Sequence, residues 1–345
     1  VALDLGAYAV GSPNHDSPSA PISGVARSPN RDNSSPLIAD VGAATYCSAA
    51  SPCTGLVTAS NSLIGGTATD WVGNGVTALN DGNYVVSSPI WDNPSPMLQD
   101  AGAATFCSST TPCSGLVTAS NSLVGSTAFE QVGNFGVTAL TNGNYVIATP
   151  QWDNPSPVRM EAGAATFCTA AAPCTGPINS TNSLTGGRAN DQVGIGRVTA
   201  LTNGNYVVGS PFWANPSLGG SNSAGAATWG NGTTGTVGSI TATNSLIGGG
   251  SDNNVGSGVT ALTNGNYVVR SPFWDNSSPF VQDVGAVTWC DGTGVTVGVV
   301  TASNSLIGSR PFDNAGTTGV TALTNGNYVV ASRLWDNPSP VIADV

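Results

Sequence analysis

An eleven-residue string, Val-Thr-Ala-Leu-Thr-Asn-Gly-Asn-Tyr-Val-Val, stands unchanged at residues 198–208, 259–269 and 320–330, with near copies at 137–147 and 76–86. Its tyrosines, Tyr84, Tyr145, Tyr206, Tyr267 and Tyr328, recur every 61 residues. A fixed period of this length marks a repeat architecture, in which each unit buries its apolar face against its neighbours. Within the string, Thr-Ala-Leu and Tyr-Val-Val are β-prone, and Asn-Gly accepts the positive φ of a tight primed turn, so the string reads as a β-hairpin. No apolar 3.6-residue period crosses it, and its dense glycine, asparagine and β-branched residues argue against helix.

Followed along the chain, one full unit runs over 72–132. Strands are expected at 75–79, 84–88, 102–107 and 115–119, with a proline-punctuated loop at 89–96 and a return segment at 121–125. The same pattern fills 133–193, 194–255 and 256–316, and 317–345 holds only a first and a second strand. Residues 1–71 form an irregular N-terminal unit with surplus strand-like pieces at 8–12 and 24–28. A unit of this size buries too little surface to stand alone, so units must stack. The expected fold is all-β, a β-propeller-like array of four-stranded antiparallel blades of about 61 residues, with a linear β-solenoid as the alternative.

Charge then narrows the partners. Only 8% of residues are charged, against roughly 25% in ordinary soluble domains. Eight arginines, no lysine and 19 acids leave a net charge of -11, which argues against nucleic acid or an anionic membrane surface as partner. No apolar run approaches the roughly 20 residues of a membrane span, and the residues given read as a mature segment without a signal peptide.

Six of the seven cysteines fall as Cys47/Cys53, Cys107/Cys113 and Cys168/Cys174, one pair at the same place in three successive units. Zinc sites favour Cys-x2-Cys pairs or histidines, and His15 is the only histidine. Short disulfide loops are the better reading, and they imply an oxidising, extracellular compartment. Cys290 has Thr296 where its mate should stand, and is either a free thiol or an intermolecular link.

Two further elements recur once per unit. Acids are paired eight residues apart at Asp32/Asp40, Asp92/Asp100, Asp153/Glu161, Asp275/Asp283 and Asp336/Asp344; where the first becomes Ala214, the second is missing too, with Asn222 and Ser223 in its place. Such pairs either cap the turn they flank or hold a weakly bound cation such as calcium. The tryptophans Trp91, Trp152, Trp213, Trp274 and Trp335 precede the first acid or its counterpart. They either pack between units or present a stacking surface to a sugar.

The run Gln131-Val132-Gly133-Asn134-Phe135-Gly136-Val137, followed by 144–150 and Gly163-Ala164-Ala165-Thr166-Phe167, resembles the FG-GAP repeat of integrin-alpha-type propellers. Val207-Val208-Gly209-Ser210-Pro211 is similar to that family's central motif, and the wording of the units also resembles repeats of large secreted bacterial haemagglutinin-like proteins. The resemblance implies propeller blades and an adhesive role. It does not carry over the family's Asp-x-Asp-x-Asp-Gly calcium loop, because the corresponding turns read Thr-Asn-Gly-Asn or Asn-Asp-Gly-Asn.

Catalysis has little footing. A serine triad needs a base and His15 lies in the least regular segment, while five equivalent acid pairs do not suit the single unequal pair of a glycosidase. Asn33, Asn179, Asn231 and Asn276 begin Asn-x-Ser/Thr triplets. The expectation is a non-catalytic, cofactor-free extracellular protein, a structural or adhesive surface or filament component associating head-to-tail. The alternative is a lectin-like glycan-binding propeller with one site per blade, its partner a glycan or a host or cell surface.

Overall fold

The computed structural model describes residues 37–220 and 222–338, with further short strands at Ala2–Leu3, Ala7–Tyr8, Val10–Gly11, Ala26–Ser28, Asn33–Ser34 and Val341–Ile342. These residues form an all-β array of short sheets, interrupted by one 3-10 turn at Pro216–Leu218. The chain divides into two compact units, residues 1–155 with 166–179, and 156–165 with 180–345. No described helix is long and apolar enough to cross a membrane.

In the first unit the repeated string folds as the hairpin that its turn dictates. Gly75–Ala78 pairs antiparallel with Tyr84–Ser88, with Tyr84 opposite Ala78 and Val86 opposite Val76. Leu79 N–H donates to Asn83 O at 2.8 Å and Gly82 takes the turn at φ +85°. Ala103–Cys107 then lies antiparallel on the other side of Tyr84–Ser88. In the second unit the same three-strand order is made by Val198–Ala200, Tyr206–Ser210 and Ala226–Gly230, and again by Gly258–Ala261, Tyr267–Ser271 and Ala286–Cys290.

The fourth strand departs from expectation. It is Leu123–Val124, in the segment read as a mere return, that pairs with Ala103 and Ala104. Gly115–Leu116, read as the fourth strand, crosses instead to the preceding repeat and adds in parallel to the outer edge of Ser62–Ile64. Gly115, at φ +83°, turns the chain outward, Gly115 N–H donates to Ala59 O at 2.7 Å, and Val117 N–H donates to Ile64 O at 3.0 Å. Asn121 locks the crossing by donating to Leu116 O and accepting from Thr118 N–H, both at 2.9 Å. Three more parallel joints repeat it: Gly176–Pro177 on Leu123–Val124, Gly238–Ser239 on Leu184–Thr185, and Gly298–Val299 on Leu246–Ile247. Four sheets are thus each completed by a strand of the following repeat. Among the described residues no ladder joins repeats further apart than neighbours, and no sheet closes into a ring or barrel.

The N-terminal pieces are drawn into the same scheme. Ala26–Ser28 pairs antiparallel with Ala43–Thr45, the place a second strand holds elsewhere, and Val10–Gly11 lies beside it in parallel.

The core sits where neighbouring sheets face each other. In the first unit Leu63, Val72, Tyr84, Val86, Trp91 and Val124 belong to one buried cluster; in the second, Leu201, Val207, Leu246, Tyr267, Val269 and Trp274 belong to another. Third strands touch the next repeat through their aromatics: Tyr46 stacks on Tyr84 at 5.6 Å between centroids, and Phe106 on Tyr145 at 5.9 Å. Buried hydroxyl pairs tie third to fourth strands, Thr105 with Ser122 and Thr228 with Ser245, both at 2.7 Å. Gly102 shows why the third strand opens on glycine. Its φ is +73°, and a Cβ there would lie 2.2 Å from Val132 N, where the next repeat crosses.

Candidate functional site

The loop that follows each second strand carries the acids and tryptophans singled out above. It begins with a tight turn in which Trp91, Trp152, Trp213 and Trp274 donate their N–H to the carbonyls of Ser88, Thr149, Ser210 and Ser271 at 3.0–3.1 Å. This turn points the indole inward, and all four rings are buried in the core; only Trp335, in the last half repeat, is partly exposed. Four of the five tryptophans therefore pack, and present no face to a ligand.

The acids act on the backbone. Asp92 Oδ1 accepts the N–H of Asp100 at 2.7 Å, and Asp275 Oδ1 accepts that of Asp283 at 2.7 Å. The second acid sits in left-handed backbone, with φ of 55° at Asp40, 48° at Asp100, 50° at Glu161 and 48° at Asp283, a conformation Asp tolerates better than most residues. Burial, then the charge of Asp92, pushes the Asp100 carboxyl up; burial, then Asp275, does the same for Asp283. The joint loss at 214 and 222 has a direct explanation. Asn222 supplies the cap itself, its Oδ1 accepting Asn215 N–H at 2.9 Å and its Nδ2 donating to Asn215 O at 3.0 Å. Glu161 accepts from Gln192 Nε2 at 2.5 Å, Asp153 Oδ2 from Thr127 Oγ1 at 3.4 Å, and Asp336 N–H donates to Asp313 Oδ1 at 3.0 Å. Asp32, Asp344 and His15 lie outside the described residues. Among the described residues no three His, Cys, Asp or Glu side chains stand close enough to hold a metal ion.

A second acid series, missed in the sequence reading, lies deeper. Asp70, Glu130, Asp191, Asn253 and Asp313 recur at close to the repeat period and are all buried. Asp70 accepts from the N–H groups of Gly66, Thr67 and Asp92 at 2.7–3.0 Å. Glu130 accepts from Ser126, Thr127 and Asp153, Asp191 from Arg188 and Ala214, and Asp313 from Ser309, Arg310 and Asp336. Each ties the loop that ends one repeat to the tryptophan loop of the next. Burial pushes the carboxyls of Asp70 and Asp191 up and that of Glu130 up to about 7, against the pull of their hydrogen bonds. Asn253 accepts from Gly250 N–H at 2.8 Å, but its Nδ2 finds no partner. The signal was present as a 60- to 62-residue spacing, hidden because the residue type changes between Asp, Glu and Asn.

Beside Asn253 the surface opens into a shallow cleft. In the second unit it has a volume of about 330 Å³ and is lined by Ser251, Asp252, Asn254, Phe273, Asp275, Gln282 and Asp283. Phe273, the residue before the buried Trp274, is 50% exposed. Asn254 is held at φ 46° and Asp252 at φ 59°, so that loop is aimed by its backbone. The lining combines one aromatic face with carboxylate and amide groups, a set able to stack an apolar ring face and to accept and donate hydrogen bonds around it.

The cysteines close as three local loops, Cys47–Cys53, Cys107–Cys113 and Cys168–Cys174. Cys290 is an unbonded thiol, buried, its pKa pushed up to about 12 by that burial. It is protonated and shielded at neutral pH, so it neither reacts readily nor reaches another molecule.

Fold, joints and staples together define a disulfide-bearing, all-β repeat array. The chain belongs to the family described as "Repeat of unknown function (DUF5650)", which it matches at residues 2–74, 78–134, 139–195, 200–257, 261–317 and 322–342. The match is to that repeat, and the likeness to FG-GAP goes no further than a repeated β unit. No curated protein matches the chain.

Proposed function

We propose that this chain is a non-catalytic, extracellular glycan-binding repeat protein that takes sugar in the cleft beside its tryptophan loops. The observation that carries the reading is the half-exposed Phe273 lining one cleft with Asp252, Asn254, Asp275, Gln282 and Asp283. A sugar offers a C–H face to an aromatic ring and hydroxyls to carboxylates and amides, and this cleft holds both kinds of partner at once. The stacking residue is then the phenylalanine before the tryptophan, and the tryptophan is its foundation. Phe212 stands exposed at the same position one repeat earlier, which supports more than one site per chain. Three disulfides support an extracellular setting. FG-GAP-type propeller blades remain our finer reading of the sheets, supported within each unit by the nearness of first strands in successive repeats, Gly75–Ala78 to Val137–Ala139 and Val198–Ala200 to Gly258–Ala261.

A glycan array followed by calorimetry tests the proposal. Binding of a mono- or oligosaccharide that weakens at least about tenfold in Phe273→Ala, as loss of one stacked ring requires, supports it. An array without binders, or binding indifferent to Phe273 and Phe212 together, overturns it.

A further inference from the structure

The cleft beside Phe273 is lined mainly by hydrogen-bond acceptors. Three of its residues, Asp252, Asp275 and Asp283, bring carboxylates. Asp252 is exposed, and among the described residues its side chain bonds to nothing. Asp275 commits Oδ1 to the N–H of Asp283 at 2.7 Å, which leaves Oδ2. Asn254 donates its Nδ2 to Pro211 O at 3.1 Å and to Ser223 O at 3.3 Å, so what it retains for a ligand is Oδ1. Burial, then Asp275, push the Asp283 carboxyl up, the Gln282 amide pulls it down, and Asp252 pushes it up again; no base is among the groups that act on it. The next repeat closes the far side, where the N–H groups of Phe312 and Asn314 donate to Gln282 O and Asp283 O at 3.1 Å. One donor beside the cleft is unsatisfied. Asn253, between Asp252 and Asn254, is 1% exposed and its Nδ2 has no partner. Asp70, Glu130, Asp191 and Asp313 each accept the N–H of the residue after the tryptophan, and no such bond joins Asn253 to Asp275.

The equivalent positions one repeat earlier keep the aromatic and lose the charge. Phe212 is 44% exposed, but Asn190, Ala214 and Ser223 stand where Asp252, Asp275 and Asp283 stand in the next repeat. The backbone fixes the match: φ is 62° at Asn190 and 59° at Asp252, and 40° at Ser223 and 48° at Asp283. Arg188 adds a positive charge on that earlier loop, its Nη1 donating to Gly220 O.

We propose that the Phe273 cleft recognises a sugar bearing a protonated amine, a glucosamine-type unit without its N-acetyl group, and that the Phe212 position does not. The inference rests on the glycan reading and names the class of sugar. An ammonium carries three donors and no acceptor, the complement of a wall of carboxylate and amide oxygens. It is also drawn to the face of an aromatic ring such as Phe273. An anionic sugar would meet three like charges, and a neutral one would desolvate carboxylates without giving them a charged partner. A bare metal ion does not fit, since among the described residues no three acids converge closely enough to hold one. The cleft volume of about 330 Å³ lies at the small end of ligand pockets and suits an organic cation the size of a sugar ring. The hydroxyl oxygens of that ring are acceptors as well, the kind of partner that Asn253 Nδ2 lacks.

The test is calorimetry on the whole chain at neutral pH and low salt, with short glucosamine oligomers and their N-acetylated counterparts of the same length. The free-amine oligomer should bind at least about tenfold more tightly, as one hydrogen bond to a charged group requires. Asp252→Asn should remove most of that preference. In Phe273→Ala the preference should vanish, whatever binding persists at Phe212. Should either variant fail to fold, the contrast between the two oligomers on the unaltered protein decides the matter, and added salt should narrow it. Equal affinity for the two oligomers, or a preference that survives Asp252→Asn or Phe273→Ala, would overturn the amine assignment and leave the glycan reading standing. Ethanolamine bound as tightly as the amino sugar would overturn the sugar in both, and no binding of any saccharide would overturn both together.

Discussion

Residues 244–248 and 304–308 spell the same five letters, Asn-Ser-Leu-Ile-Gly, and lead opposite lives. Leu246 is 1% exposed beneath Gly298–Val299, whereas Leu306 is 58% exposed and, among the described residues, no strand lies on its outer side. Trp229 and Trp289 differ in the same way. Identical sequence with unequal burial means that the hydrophobic stabilisation of this chain belongs to the joints between repeats. A repeat without its successor keeps its fold and forfeits much of its buried apolar surface.

That contrast can be broken or sharpened. The largest effect is expected from Leu246→Ala, which should lower unfolding free energy by about 3 kcal/mol in denaturant titration through lost burial and a cavity; a cost near zero would remove the joints from the account of stability. Next comes pH. Burial raises the folded pKa of Glu130 to about 7, above its ordinary value of 4.5. Its contribution is therefore fully present below pH 4.5 and lost as pH rises through 7, by up to about 3 kcal/mol. Glu130→Gln should flatten that part of the stability curve, read as melting temperature against pH, and a slope that survives would locate the titration elsewhere.

The disulfides divide the repeats differently, since three carry one and the repeats around Trp229 and Cys290 carry none. Replacing Cys107 and Cys113 together by serine should cost roughly 2 kcal/mol, a modest amount because the closed loop is short. Hydrogen exchange should rise at 107–113 and stay unchanged at 290–296. Last, Leu306→Ala in monomeric protein should cost less than about 0.5 kcal/mol, in line with other surface changes. A loss as large as that of Leu246→Ala would show the edge to be covered.

Much of this architecture was legible in the letters. Asn-Gly flanked by β-prone triplets fixed the hairpin at 76–86 and its copies, and the Cys-x5-Cys spacing located the three staples. Neither the fourth strand nor the crossing segment was legible, because ladders only two residues long, such as Leu123–Val124 on Ala103 and Ala104 or Gly115–Leu116 on Leu63 and Ile64, leave no alternation to read. Gly115-Leu116-Val117-Thr118-Ala119 has every local trait of a strand, and only the positive φ of Gly115 sends it to its neighbour. The struts were hidden by a different rule. Asp70 and Glu130 look like solvated acids until the donors of the Gly66–Thr67 and Ser126–Thr127 turns are seen to converge on them. The tryptophans were found but could not be oriented, since the turn that buries Trp274 and leaves Phe273 outside is made by main-chain bonds.

The crossing strand also bears on heredity. Every crossing segment is encoded one unit downstream of the strand it joins, and both are nearly interchangeable from unit to unit. Recombination that adds or removes one whole period leaves every seam with a matching partner. A change of any other length severs one. We therefore expect natural variation in such genes to come in steps of about 61 codons, and a sequencing survey that found arrays altered by fractions of a period, still folded, would contradict it.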